Sequence, residues 1–273
     1  MLYQSSIEKE RVIPSRVSQY PVLLELFFLK VLKDRKTYIL LLIGILPVAV
    51  LLFSPSNDTL WIGSYIDTFT PGEIASLVHL PLISLVLGIS AVADEKESKT
   101  ISQFFSRPVR RDDIVISKWI VSIITGIVMI TVINVIYFLV NALLSNDSSF
   151  VTKNLDIMIG MTFFLWIYLT TYISLFLLLG VIIEKNAMMM GIFIAYFEVF
   201  LGQFIFGLGS GFRAGTPYSI TNHIYYIASE YLVPRYFRYY VTNYEPYMSV
   251  LVIAGIIVAS LIAAIIVIRR KDL

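Results

Sequence analysis

Six runs of apolar residues, most of them about as long as a bilayer is thick, dominate this chain of 273 residues. They fall at approximately 37–53, 73–93, 119–144, 157–183, 188–207 and 249–268. A membrane-spanning helix needs about 20 mainly apolar residues at a rise of roughly 1.5 Å each, and the six runs fit that requirement. The first is the shortest and begins against a basic run. No single soluble core could hide them together: 58% of the residues are hydrophobic and the mean hydropathy is +0.81. The sequence therefore reads as an all-α membrane protein with six transmembrane helices, not as a soluble domain with an anchor.

Orientation follows from where the 21 Lys and Arg residues lie. Seven are in the stretch 1–36, six in 94–118, one at Lys185, and three in the tail at Arg269, Arg270 and Lys271. The alternate segments 54–72, 145–156 and 208–248 hold none, one and three. Both termini are thus expected on the cytoplasmic side of the plasma membrane in a multi-pass, N-in and C-in arrangement. The acceptor-type triplets starting at Asn57 and Asn146 then fall outside. The chain has no Cys, which excludes a disulfide framework, a thiol nucleophile and a Cys-based metal site. The first apolar run follows a long polar and amphipathic leader, unlike a cleavable signal peptide.

The leader, 1–36, divides near Val17. From there to Lys36 apolar clusters alternate with Glu25, Lys30, Lys33 and Arg35, the pattern of an elbow helix lying in the membrane interface. Lys33-Asp34-Arg35-Lys36 marks the bend into the first span. Residues 37–273 form the transmembrane domain. Its outer segment 208–248 has nine Tyr in 41 residues, as rings at a membrane interface do. Ser219 can cap a short helix from Ile220 to Val233 that Pro234 stops.

Signatures of catalysis are scarce. The two His, His79 and His223, make no H-E-x-x-H pattern, so no metal site is expected, and no phosphate-binding loop motif is present. Gly207-Leu208-Gly209-Ser210-Gly211 lacks a preceding strand and reads as the break ending the fifth span. Polar residues inside spans are costly in hydrocarbon and face a bundle interior or a wet cavity. Glu198 in the fifth span is a candidate to line a path, and His79 in the second is a further polar candidate. Asn134 and Asn141 in the third are further polar candidates. For all four, an interhelical hydrogen bond is the structural alternative.

The loop between the second and third spans holds ten charges in the 20 residues 94–113. Asp94-Glu95-Lys96-Glu97 ends the second span. Thr100 can cap a short helix whose Ile101, Phe104 and Phe105 share one apolar face at i, i+3, i+4. Pro108 ends that element after Arg107, and Asp112 or Asp113 is expected to cap the third span near its positive dipole end. A solvated loop would have no use for the Phe pair, whereas a docked protein would.

This loop closely resembles the first cytoplasmic loop of type-2 ABC exporter permeases. The residues carrying the likeness are Glu95-Lys96-Glu97, Ser98-Lys99-Thr100, Ile101–Ser106, Pro108-Val109-Arg110-Arg111 and Lys118, with Lys99 in place of the commoner Gly. The leader Leu29–Arg35 and the count of six spans extend it along the chain. The resemblance implies a permease that pairs with a second permease subunit, as homodimer or heterodimer, and with two copies of a cytoplasmic ABC ATPase. ATP and Mg would be bound by that partner, and this chain would carry no cofactor of its own. The 100–106 coupling helix, with Glu95, Glu97, Arg107, Pro108 and Arg110 around it, would seat in the ATPase. Glu184 and Lys185 would make a smaller contact. The second and fifth spans would flank the path, bringing His79 and Glu198 towards it, and 208–248 would re-enter from outside.

The expected function is therefore outward translocation of a substrate driven by a separate ATPase, with membrane lipids around the chain and no nucleic-acid partner. The short outer loops favour an amphipathic or peptide-like cargo over a long glycan. A membrane-embedded enzyme, or a sensor that docks an ATPase without transport, are the alternatives.

Overall fold

The computed structural model describes residues 16–53, 82–92, 110–144, 148–183, 186–200, 220–232 and 245–270. Among these every regular element is helical. In chain order they are α1 (Arg16–Lys33), α2 (Arg35–Phe53), α3 (Leu82–Val92), α4 (Arg111–Leu144), α5 (Phe150–Ile182), α6 (Ala187–Phe200), α7 (Ile220–Ile227) and α8 (Pro246–Arg270). A π-helical turn, Ala228–Leu232, continues α7.

Three of these, α4, α5 and α8, are long and apolar enough to cross a membrane. The 34 residues of α4 reach about 51 Å at 1.5 Å per residue, beyond the roughly 30 Å of a hydrocarbon core. Its surplus lies at the N-terminus, where helix begins at Arg111 although the apolar run begins at 119. The same happens in α5, which starts at Phe150 and takes in Lys153, Asn154 and Asp156. Part of the expected outer loop 145–156 is therefore helix. Side-chain polarity marks where lipid should begin, while the backbone continues its hydrogen bonding past that point.

The helix is interrupted at Asp34, between α1 and α2, within the charge run Lys33–Lys36. Asp34 Oδ1 accepts from the Lys36 N–H at 2.9 Å, capping α2. The Thr37 hydroxyl reaches back to the Val31 carbonyl at 2.7 Å, across the break. One face of α1 buries Leu23 and Phe27 against Ile114 and Val121 of α4. Its other face leaves Val22, Leu26, Phe28, Leu29 and Leu32 exposed. That second apolar face suits a lipid boundary rather than water.

α5 is the most enclosed of the three long helices and α8 the least. Phe164, Leu165, Leu169, Ile173 and Phe176 of α5 are buried in the main core with Ile83, Leu85 and Ile89 of α3. α3 and α5 nearly touch backbones. A Cβ on Gly88 would lie 2.7 Å from Phe176 Cβ and 2.9 Å from the Ile173 carbonyl oxygen, and one on Gly180 would lie 3.0 Å from the Ile89 oxygen. Small residues at such crossings let helices approach closely where no water drives them together. α8 turns Ser249, Ile253, Ser260, Ala264 and Ile268 inward and exposes bulky residues such as Leu251, Val258 and Ile262.

The helix expected over 220–233 is present, with its last turn widened to π. It packs into the bundle through Ile224, Ile227 and Ala228. Tyr172 of α5 hydrogen-bonds Thr221 at 2.7 Å, and His223 Nδ1 pairs with Ser249 Oγ of α8 at 3.0 Å. Tyr226 is buried while Tyr231 and Tyr247 are exposed, so only part of the aromatic segment could serve as a belt. Between α5 and α6, Ile183 is extended and Asn186 adopts φ +57°, a left-handed turn that Asn tolerates.

Candidate functional site

The charged loop is best read from its two stems, because Glu95, Glu97, Thr100, Ile101, Phe104, Phe105, Arg107 and Pro108 lie outside the described residues. The same holds for His79, Glu184 and Lys185. Glu198 lies on α6, and only its helical backbone is described. Of the residues singled out from sequence for docking, Arg110 is placed: it is exposed, and its carbonyl accepts from the N–H groups of Asp113 and Ile114 as α4 begins.

The first turns of α4 form a hub. Ile114 and Val121 face α1, while Val115 faces Val92 of α3, Leu177 and Val181 of α5, and Ala264 and Ile268 of α8. One stretch of helix immediately after the loop is thus wedged between four others. Val92, at the opposite stem, belongs to the same small core.

Polar contacts lock this hub. Lys118, only 3% exposed, donates from Nζ to the Ala91 carbonyl at 2.6 Å, bridging the helices on either side of the loop. Its ammonium also lies 5.2 Å from the centroid of the Phe27 ring. Ser122 Oγ donates to Leu87 O at 3.0 Å one turn further along, and Trp119 Nε1 donates to Ser174 Oγ at 2.9 Å. Together these fasten α4 to α1, α3 and α5.

Asp112 and Asp113 do not cap α4 from outside, as expected from sequence. They sit inside its first turn, where the helix dipole favours carboxylates, and each holds another helix. Asp112 is engaged by Arg269 of α8 in a two-pronged ion pair, with Arg269 Nε donating to Oδ1 at 2.7 Å and Nη2 to Oδ2. Asp113 Oδ1 accepts from the Tyr20 hydroxyl of α1 at 2.8 Å. Arg111 adds a long contact from Nη1 to the Ile268 carbonyl at 3.4 Å. The sequence signal available for the first of these was the basic last turn of α8. Nothing in linear spacing says which acid it meets 157 residues away.

The polar residues within the spans part company. Asn134 is fully buried and donates to Thr162 Oγ1 of α5 at 2.6 Å, an interhelical bond, while its Oδ1 has no partner. Asn141 donates to Tyr137 O at 2.8 Å within its own helix. Trp166 Nε1 donates to Thr131 Oγ1 at 2.9 Å, a second polar tie between α4 and α5. Both Asn residues thus have structural uses. Among the described residues no three His, Asp or Glu side chains gather as metal ligands would.

Comparison with known protein families matches residues 28–273 to the model described as ABC-2 family transporter protein. The match starts within α1 and takes in every later helix. No curated protein shows a significant match to the chain.

Proposed function

The chain belongs to the ABC-2 transporter family, and from that premise we propose that it is the six-span permease subunit of an ABC exporter, driven by ATP hydrolysis in a separate partner. Membership supports a membrane permease component of an ABC transporter. The finer reading rests on the stems of the charged loop. A docked ATPase must deliver force to the bundle, and a loop with loose ends would dissipate it. Here the Lys118–Ala91 bond joins the two stems, and the Asp112–Arg269 pair ties the second to the last helix. Movement of the 100–106 segment would therefore shift α3, α4 and α8 together.

In this reading both termini are cytoplasmic, and two permease copies or a related pair enclose the path. Two ATPase subunits bind ATP and Mg, and Glu184 and Lys185 give a second contact. Glu198 and His79 face the path. ATP-bound and ATP-free partners then favour different permease states, which is the free-energy requirement for coupling. The decisive test replaces Phe104 and Phe105 together by Asp. Membrane insertion should be normal, while ATPase co-purification and ATP-driven efflux from cells or uptake into inverted vesicles should be lost. Undiminished transport in the double variant would refute the coupling assignment.

A further inference from the structure

Asp113 is only 1% exposed, and in the first turn of α4 its Oδ1 accepts from the Tyr20 hydroxyl of α1 at 2.8 Å. A buried carboxylate is a costly way to attach a helix, even with the positive end of α4's own dipole to favour it. Attachment alone does not require it, because apolar packing already joins the two helices. Leu23 and Phe27 meet Ile114 and Val121, with Val31 packed alongside. What that packing lacks is a register. Leu23, Phe27 and Val31 recur at intervals of four residues. Sliding α1 by one turn, about 5.4 Å, would therefore set apolar residues against apolar residues again. The other face of α1 is no more selective, since Val22, Leu26 and Leu29 are exposed and apolar too. A hydrogen bond is short and directional, and its best-attested use when buried is to fix register. Moved by a turn, Tyr20 would no longer reach Asp113.

The register decides what lies beside Lys118. The Phe27 ring of α1 is 5.2 Å from the Lys118 ammonium, which donates to the Ala91 carbonyl and so joins the two stems of the charged loop. Slid by a turn, α1 would bring Leu23 or Val31 there instead, and neither offers a π face to the cation. We propose that Tyr20 and Asp113 are positioning residues, whose bond holds α1 in one register on α4 and keeps Phe27 beside the Lys118 brace. The effect on register requires only the helical bundle. The effect on coupling rests on the reading that the charged loop docks an ATPase. A stem free to slide against α1 would take up the docked subunit's motion without passing it on.

The chain has no Cys, so Val22→Cys and Val128→Cys, both at exposed positions, give one clean pair of sites for nitroxide labels. Full-length labelled chain, diluted with unlabelled chain, is placed in lipid nanodiscs, and the label separation is read by pulsed electron spin resonance. The parent should give one narrow separation. Tyr20→Phe keeps the ring and removes the donor, and the preference for the native register should fall by about tenfold or more, as for a hydrogen bond to a charged group. A second population should then appear, displaced by up to about 5 Å, one helical turn. Asp113→Leu should do the same, whereas Asp113→Asn keeps an acceptor oxygen and should keep the narrow separation. Coupling is read from the same labels in the complex with its ATPase, after ATP and orthovanadate are added. The parent separation should hold, and that of Tyr20→Phe should move further. A single unshifted separation in both Tyr20→Phe and Asp113→Leu would overturn the proposal, as would a shift in Asp113→Asn as large as in Asp113→Leu. A slipped register that ATP and orthovanadate leave unmoved would remove the role in coupling. Transport surviving the Phe104 and Phe105 double replacement would sink the docking reading instead, and the separations without ATP would still decide the register.

Discussion

The ammonium of Lys118 donates to the carbonyl of Ala91 at 2.6 Å, so a hydrogen bond from a charged group joins the two helices that the charged loop connects. The same ammonium lies 5.2 Å from the centroid of the Phe27 ring of α1, and Val92 and Val115 of the two stems share a small apolar core. Local helix propensity would let each stem move on its own. The cross-brace ties one stem to the other.

Lys118→Met keeps the length and apolar stem of the side chain while removing its donor. Because Lys118 is almost wholly buried, water cannot replace the lost bond cheaply. The variant should lose about 1.5–3 kcal/mol, the range for a hydrogen bond from a charged group. Chemical or thermal unfolding in detergent measures this. A stability change within about 0.5 kcal/mol would show that the brace carries no weight.

The Asp112–Arg269 pair should behave differently. Arg269 is 63% exposed at its side chain, against 12% for Asp112, so solvent screens the attraction. A double-mutant cycle with Asp112→Asn and Arg269→Gln should give a coupling of about 0.5–1 kcal/mol that shrinks in high salt. Exchanging the charges, Asp112→Arg with Arg269→Asp, should not restore the wild-type value. The exchange puts a cation at the N-terminus of α4 and an anion at the C-terminus of α8, opposing both helix dipoles. Full recovery in the exchanged protein would mean that the dipoles contribute nothing here.

Much of this architecture was legible in the sequence, for reasons that differ by element. The helices of the 119–144, 157–183 and 249–268 runs follow from length and hydropathy, and the break in the helix at Asp34 falls within its charge run. The helix from Ile220 followed from a capping Ser and a stopping Pro. The starts of α4 and α5 did not, since polar residues such as Asp113 and Lys153 are as content in helix as in a loop once the backbone bonds continue. The ties of the hub were also hidden. Lys118 was visible as a residue of the family pattern, but its acceptor is a backbone carbonyl, which has no letter of its own. Arg269 and Asp112 meet only because α8 returns alongside α4.

Asn134 and Thr162 offer a test of whether a buried polar residue in α4 serves structure or transport. A cycle with Asn134→Leu and Thr162→Val should return a coupling of about 0.6 kcal/mol and no more than about 1.7, as for other hydrogen bonds between helices in membranes. Asn134→Leu also removes the unpartnered Oδ1, so its net effect should stay within about 1 kcal/mol of neutral. Transport should be unaffected. A folded variant with altered substrate preference would move Asn134 from the packing to the path.

The close approach of α3 to α5 makes the sharpest stability prediction. Gly88→Ala would place a methyl 2.7 Å from Phe176 Cβ and 2.9 Å from the Ile173 carbonyl oxygen, and the latter, being backbone, cannot turn aside. Gly180→Ala meets the Ile89 backbone at 3.0 Å. Each should cost about 1–3 kcal/mol, as overpacking does elsewhere. Gly255→Ala, with nothing within 4 Å of the added Cβ, should instead be neutral or stabilising by up to about 1 kcal/mol through helix propensity. The two costly changes act on one crossing, so the first should separate the helices and ease the second. The double variant Gly88→Ala/Gly180→Ala should therefore lose less than the sum of the singles. Strict additivity in unfolding measurements would mean that α3 and α5 absorb each methyl locally, without moving apart.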